Sequence, residues 1–488
     1  MSVSNISETS EHTFADSVLA ESRSAQRLWS KVSLRDRLAV VKRFRHSLAD
    51  NALTLAKIVE QSRGSKAPEV LAAEILPLAD ACRFLEREAK SILRPKAVSS
   101  SRRPLWLTGV ASSVHREPLG VILVLGPANY PLFLPGVEII QAITSGNSVL
   151  VKPGHSGGEV MKQLSQLLID AGLPEDVIRV LPEDPQVVEP LLRAGVDKIF
   201  LTGSAKTGQI VAKMAAETLT PMVAELSGCD AVIVLPGANL DLVADAIEFS
   251  LRWNRSETCI AARRLFVPRP LVEEIEHRLT QVVQTLRESW QPTARSKVAV
   301  RLIEDALNQG ARLLVETNLD DDNGLSPVVL TDVSVDMEIT REDVFAPVLS
   351  IIPVSDSEEA IRLSAKCPYA LGASVFGPES ECQHVAKRID AGAVVINDII
   401  VSTADPRLPF GGRKRSGFGV TRGVDGLLEM TTVKSISRRR GRPPHLDDPH
   451  PTDGELFHRF VRATHGRGWR RFGQWWFIVR LMMKRLIG

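Results

Sequence analysis

Val121-Ile122-Leu123-Val124-Leu125 is an unbroken apolar run, with Gly120 before it and Gly126-Pro127 after it. A strand with one wet face alternates apolar and polar residues. A continuous run is expected of a strand covered on both faces, as in a parallel sheet. Strand-like runs recur at 148–151, 177–181, 197–201 and 221–225, and stretches at helical spacing lie between them at 134–144, 157–171 and 204–218. This order predicts a parallel sheet flanked by helices. A second α/β set follows. Its strands are expected at 232–234, 265–267, 348–353, 373–376 and 393–396, and its helices over 239–253 and 270–287. Residues 16–93 read as helices, with Leu38 to Phe44 apolar and basic at near-helical spacing, and 105–115 reads as extended. The sequence has no internal repeat.

With 488 residues the chain is long enough for two or three domains. Its 44% hydrophobic and 24% charged residues are those of a globular protein rather than a disordered one. A net charge of +2 makes no case for nucleic acid, but it hides an asymmetry: from Arg438 onward twelve Lys/Arg stand against four Asp/Glu. The five cysteines are odd in number and have neither CxxC nor metal-ligand spacing, so free thiols in a reducing compartment and no metal site are expected. The polar start, Met1 to Thr13, lacks the basic-then-apolar pattern of a secretory signal. A cytoplasmic location is the expectation.

The C-terminal end changes that picture. Residues 438–456 read as a linker, and 457–488 as a basic amphipathic tail. Phe472, Trp475, Trp476, Val479, Met482, Met483 and Leu486 recur at the spacing of one helix face, flanked by Arg470, Arg471, Arg480, Lys484 and Arg485. The apolar run is too short for a bilayer span, which takes ~20 residues. The pattern suits a helix lying in an interface. Residues 469–488 are therefore expected to touch an anionic membrane, at its inner face.

Cys259 stands in the polar segment Ser256-Glu257-Thr258-Cys259, between a helical and a strand-like run. A lone cysteine is more often a small buried hydrophobe, but Glu257, Thr258 and Arg263 make this a poor core segment. A thiolate on such a loop can attack a carbonyl. Glu225 ends the apolar run Met222-Val223-Ala224, where partial burial would raise its pKa into the range of a general base. Asn129 follows Gly126-Pro127-Ala128; read alone, it is a turn residue beside Pro131.

Together these segments resemble the aldehyde dehydrogenase superfamily from about residue 15 to about residue 437. The long segment Leu408-Pro409-Phe410-Gly411-Gly412-Arg413-Lys414-Arg415-Ser416-Gly417 resembles a signature of that family near its substrate tunnel. The resemblance implies Cys259 as nucleophile, Asn129 as oxyanion donor and Glu225 as the base that activates water. For the cofactor, NAD or NADP, it implies Lys152 on the adenosine ribose, the turn Gly203, Ser204 and Gly208 at the pyrophosphate, and Leu226, Asp343 and Phe345 near the nicotinamide. His155 stands where NAD-preferring members carry glutamate, which leaves NADP open; Ala128, Ser227 and Asp343 are further departures.

The implied fold is α/β: a Rossmann-like cofactor domain (1–100 and 119–227), an α/β catalytic domain (228–430) and a small bridging β element (101–118 and 431–437) that assembles a homodimer or homotetramer. The implied reaction oxidises an aldehyde to a carboxylic acid. Tyr130, Phe133, Trp253 and Ile260 suggest an apolar or lipid-derived substrate. Two alternatives stand beside it: a CoA-acylating enzyme (or acyl-CoA reductase) using the same cysteine, and a catalytically silent membrane scaffold on the same fold.

Overall fold

The computed structural model describes residues 4–290, 296–319, 324–441, 446 and 448–487. The chain divides into two compact units, one of residues up to Arg94 with 116–434, the other of 95–115 with 435 onward.

The first unit holds two large sheets. One has six strands in the order Gly417–Phe418, Met222–Glu225, Lys198–Thr202, Val121–Leu125, Ser148–Lys152, Ile178–Val180. All pairs are parallel except the edge pair, where Gly417 lies opposite Glu225. The five parallel strands run outward in both directions from Val121–Leu125, so the order reverses between that strand and Lys198–Thr202. At such a switch point the following loops diverge and leave a crevice at the strands' carboxyl ends. All five residues of Val121–Leu125 are buried, as the continuous apolar run requires.

The second sheet has seven strands in the order Arg312–Leu313, Val328–Thr331, Val348–Val354, Ala262–Pro268, Asp230–Val234, Gly372–Phe376, Ala393–Ile396. The helices Leu240–Arg252 and Val272–Glu288 pack into one apolar layer with this sheet. The helix Lys297–Asn308 packs into the other through Ala299, Leu302, Ile303 and Ala306.

The N-terminal helices Leu34–Asp50, Ala52–Arg63 and Leu76–Leu93 share a core with the helix Phe133–Ser145. Between them the wider helical turn Leu71–Ile75 turns Glu74 inward. Its Oε2 accepts hydrogen bonds from the backbone N–H of Leu132 (2.7 Å) and of Phe133 (3.1 Å), capping the helix that follows the Asn129 loop. Burial pushes the Glu74 carboxyl up to about 7, against the pull of those two N–H groups.

The second unit is built on a three-stranded sheet, Lys96–Ala97, Val110–Pro118, Thr431–Arg439. Leu105–Leu107, expected to be extended, forms a short 3-10 turn instead, because the residues around Pro104 close an i to i+3 bond. The tail forms two helices, Asp453–His465 and Arg470–Ile487, so helix begins inside the stretch expected as linker. Residues 442–445 and 447 of that linker lie outside the described residues.

The two tail helices pack on each other and divide the expected single stripe. Trp475 turns inward and meets Phe460 edge-to-face at 5.7 Å, while Phe472, Trp476, Val479 and Met483 stay exposed. The side chains of Lys484, Arg485 and Leu486 lie outside the described residues.

Candidate active site

Cys259 is half-buried, on the loop between the turn Trp253–Ser256 and the strand Ala262–Pro268. Ahead of it, Asn254, Arg255 and Ser256 all have positive φ (46°, 53° and 61°), which is costly for residues with a Cβ. Hydrogen bonds on every side hold the loop in place. Asn254 Nδ2 donates to the carbonyls of Asn129 (3.2 Å) and Glu257 (3.1 Å). The buried Arg263 donates to Ser256 Oγ (2.7 Å) and to the Ser256 carbonyl (2.6 Å), and Arg255 to the Arg63 carbonyl (2.9 Å). Arg63 pairs with Glu257 at 3.0 Å, and the Tyr130 hydroxyl shares a 2.7 Å bond with Thr258. Gly228 makes the close approach possible, since a Cβ there would lie 2.1 Å from the Cys259 carbonyl oxygen.

Asn129 and Glu225 come to this loop from the first sheet. Asn129 follows the strand Val121–Leu125; it is buried, and its Nδ2 donates to the Glu257 carbonyl at 3.1 Å. An amide nitrogen carries two N–H groups, so a second donor remains. Glu225 is the last residue of its strand and is 5% exposed, and its Oε1 accepts from the Thr421 hydroxyl.

Asn129, Glu225 and Cys259 line one cavity of about 480 Å³ at the switch-point crevice, together with Gly203, Ser204, Leu226, Asp343 and Phe345. Of the other expected cofactor residues, Gly208 packs against Leu226, where a Cβ would meet the Leu226 side chain at 2.6 Å. Its role here is close packing of the helix Ala205–Glu217 on the sheet. Lys152 ends the neighbouring strand and His155 follows it; neither is among the residues lining this cavity.

Cys259 also lines a second cavity, of about 440 Å³. Its wall is mainly apolar and includes Tyr130, Phe133, Leu134, Ile260, Ile399 and Phe410, with Phe249 and Trp253 stacked at 4.9 Å. The sulfur therefore sits between a more polar chamber and an oily one.

The charges around it are unusual. Burial pushes the Cys259 thiol up to about 12, and the carboxylates of Glu225 and Asp230 add to this. Arg422 opposes them. Glu225 is also raised by burial, with Arg422 and the Thr421 hydrogen bond pulling it down. Asp343 is raised by burial and lowered by Arg263, then by a hydrogen bond from Ser227.

Several contributing residues lie outside the set expected from the sequence. Arg422 is buried between the rings of Phe133 (5.0 Å) and Phe410 (4.7 Å), and donates to the Thr403 carbonyl at 2.6 Å. Lys206 and Arg415 bring positive charge to the larger cavity. Glu183 accepts from the N–H groups of Ser156 (2.9 Å) and Gly158 (2.7 Å), and lies 3.9 Å from His155. A carboxylate thus stands beside the position where the sequence shows only histidine.

Known proteins resemble the chain over most of its length. Residues 3–436 match the profile of the Aldehyde dehydrogenase family. A 4,4'-diapolycopene aldehyde oxidase of Methylomonas sp is 31% identical over 465 residues, covering 92% of this chain and 86% of that protein. A putative succinate-semialdehyde dehydrogenase [NADP(+)] of Mycolicibacterium smegmatis is 32% identical over 457 residues, covering 90% of this chain and 87% of that protein. An aldehyde dehydrogenase of Mycobacterium tuberculosis, solved with NAD+, superimposes with a TM-score of 0.79 at 28% identity, covering 87% of this chain and 90% of the other.

Proposed function

This chain belongs to the aldehyde dehydrogenase family, and we propose that it oxidises an apolar aldehyde to the carboxylic acid with NAD or NADP through a thioester on Cys259. The observation that carries this reading is the place of Cys259 on the wall shared by two cavities, with Asn129 and Glu225 facing the same chamber.

The larger chamber fits a dinucleotide. It lies at a switch point, and the Gly203-Ser204 turn opens the helix Ala205–Glu217, whose N-terminus suits a pyrophosphate. Lys206 and Arg415 supply positive charge, and the Asp343 carboxylate can accept from ribose hydroxyls. Lys152 and His155, with Glu183 beside them, are assigned to the adenosine end. When bound, the dinucleotide supplies the hydride acceptor.

In the resting site the Cys259 thiol keeps its proton, because burial and nearby carboxylates disfavour the thiolate. Arg422 is the group that counters them. As sulfur bonds to the carbonyl carbon, its proton passes to the Glu225 carboxylate facing the same chamber and from there to solvent; charge grows on the carbonyl oxygen, and the free Asn129 N–H and the Cys259 backbone N–H receive it. After hydride has left that carbon, the acyl group remains on sulfur as a thioester. Glu225, its carboxyl raised by burial, takes a proton from water; the water oxygen bonds to the acyl carbon, and sulfur leaves. A carboxyl group aimed into the chamber supports hydrolysis over transfer to CoA. The apolar wall of the smaller cavity supports an apolar substrate. The exposed strand Thr431–Arg439 is the proposed edge for homo-oligomer assembly.

Cys259→Ala is expected to abolish NAD(P)H formation. Glu225→Gln is expected to give one burst of NAD(P)H per active site, followed by slow turnover. Aldehydes of rising chain length, assayed with each cofactor and with and without CoA, test the substrate class. Normal turnover by the Cys259 variant would overturn the mechanism.

A further inference from the structure

We propose that the outward face of the last helix binds an anionic lipid surface. This inference is independent of the dehydrogenase reading. Arg470–Ile487 uses one side to pack on Asp453–His465: Gln474 and Ile478 are buried there, Ala463 is buried on the partner helix, and Arg459 donates to Gln474 Oε1 at 3.1 Å. Among the described residues, that packing leaves the opposite side uncovered. Phe472, Trp476, Val479 and Met483 follow one another at steps of four, three and four residues, so they fall in one line directly opposite Gln474 and Ile478. They are 54%, 61%, 49% and 58% exposed.

Charge decides what covers this line. Between Leu456 and Gly488 the sequence has eight Lys/Arg and no Asp/Glu. Two of these cations sit against the exposed rings, Arg480 over Trp476 at 5.5 Å and Arg471 over Phe472 at 4.7 Å. An apolar line with cations at its margins matches a bilayer interface, where acyl chains meet anionic headgroups. Spanning is a different matter. Among the described residues no helix is long and apolar enough to cross a membrane, and Arg480 interrupts the line.

The full-length protein is mixed with phosphatidylcholine vesicles, with or without phosphatidylglycerol, and floated. It is expected to float with the anionic vesicles alone, with Trp fluorescence shifting to the blue, and to be released by salt. Changing Trp476, Val479 and Met483 to Ser is expected to weaken flotation about tenfold or more while helix content and dehydrogenase turnover stay as they are. Changing Arg471 and Arg480 to Gln is expected to flatten the salt dependence. Undiminished flotation of the Ser variant would overturn the proposal. Binding to both vesicle types without salt dependence would also overturn it. So would a Ser variant that changes oligomeric state by sedimentation, since the face would then join copies of this chain. Loss of dehydrogenase turnover in Cys259→Ala leaves flotation as it is, which separates this proposal from the enzymatic one.

Discussion

At the scale of residues, the proposed site rests on Glu225 and Cys259, which local sequence sets apart, on Asn129, which read alone is a turn residue, and on Arg422, which no local pattern marks. Glu225 at a strand end and Cys259 on a polar loop stand where apolar patterning stops and a functional side chain is conspicuous, whereas Asn129 beside Pro131 draws its expected role from the family resemblance. Arg422 looks like any surface arginine; its burial against Phe133 and Phe410 exists only once distant segments meet. Asn129→Ala is expected to lower kcat by about 10²–10³, as for loss of one oxyanion donor. A change of kcat below threefold (about 0.7 kcal/mol) would count against that role. Arg422→Met keeps much of the bulk and removes the charge that opposes burial at both Cys259 and Glu225. Both groups should then hold their protons to higher pH. The acid limb of the pH–rate profile should move up. Iodoacetamide labelling of Cys259 should slow in step with the lost thiolate, about tenfold when the thiol titrates one pH unit higher. An unmoved limb would remove Arg422 from the mechanism.

Elements were legible where both faces are covered, because full burial forces an unbroken apolar run, as in Val121–Leu125. The helix Lys297–Asn308 carries its period in Ala299, Val300, Leu302, Ile303 and Ala306, yet it stands outside the elements expected from the pattern. The last helix shows a different limit. A sequence stripe records which residues are apolar, but it cannot divide them between two neighbours, and here Trp475 goes to one side and Trp476 to the other. Glu74 gives a measurable consequence at this scale. Its carboxyl sits at about 7 against an ordinary 4.5. Between these values the unfolded chain releases a proton that the folded chain retains, so stability falls as pH rises through the window and levels off above it. The full effect is ~3 kcal/mol. Urea midpoints measured across pH 4–8 should show this slope in the wild type and lose it in Glu74→Gln; parallel curves would refute the assignment.

At the scale of the whole molecule, the first unit brings two sheets to one cleft: Asn129, Gly203 and Glu225 from one, Cys259 from the other, with Asp343 and Phe345. A ligand held by both should resist their separation. Saturating NAD or NADP at ~100 times Kd is expected to add ~2.7 kcal/mol to unfolding, visible as a raised melting temperature. No change with either dinucleotide would empty the larger chamber of its assigned role. Comparing the two melting temperatures also reports on Glu183, whose carboxylate beside His155 would repel a 2′-phosphate. Sequence spacing could not supply that pairing, because the two residues belong to successive strand-end loops that only the sheet places together.

The backbone ahead of Cys259 has an evolutionary consequence. Asn254, Arg255 and Ser256 hold conformations that glycine adopts freely, at a cost of ~1–3 kcal/mol each for other residues. A laboratory screen that rewards only heat tolerance would accept glycine where the relieved strain exceeds the lost side-chain bonds, as at Arg255, which loses one bond to the Arg63 carbonyl, and would thereby loosen the mount of the sulfur. Thermostable descendants selected without an activity check should be sluggish catalysts.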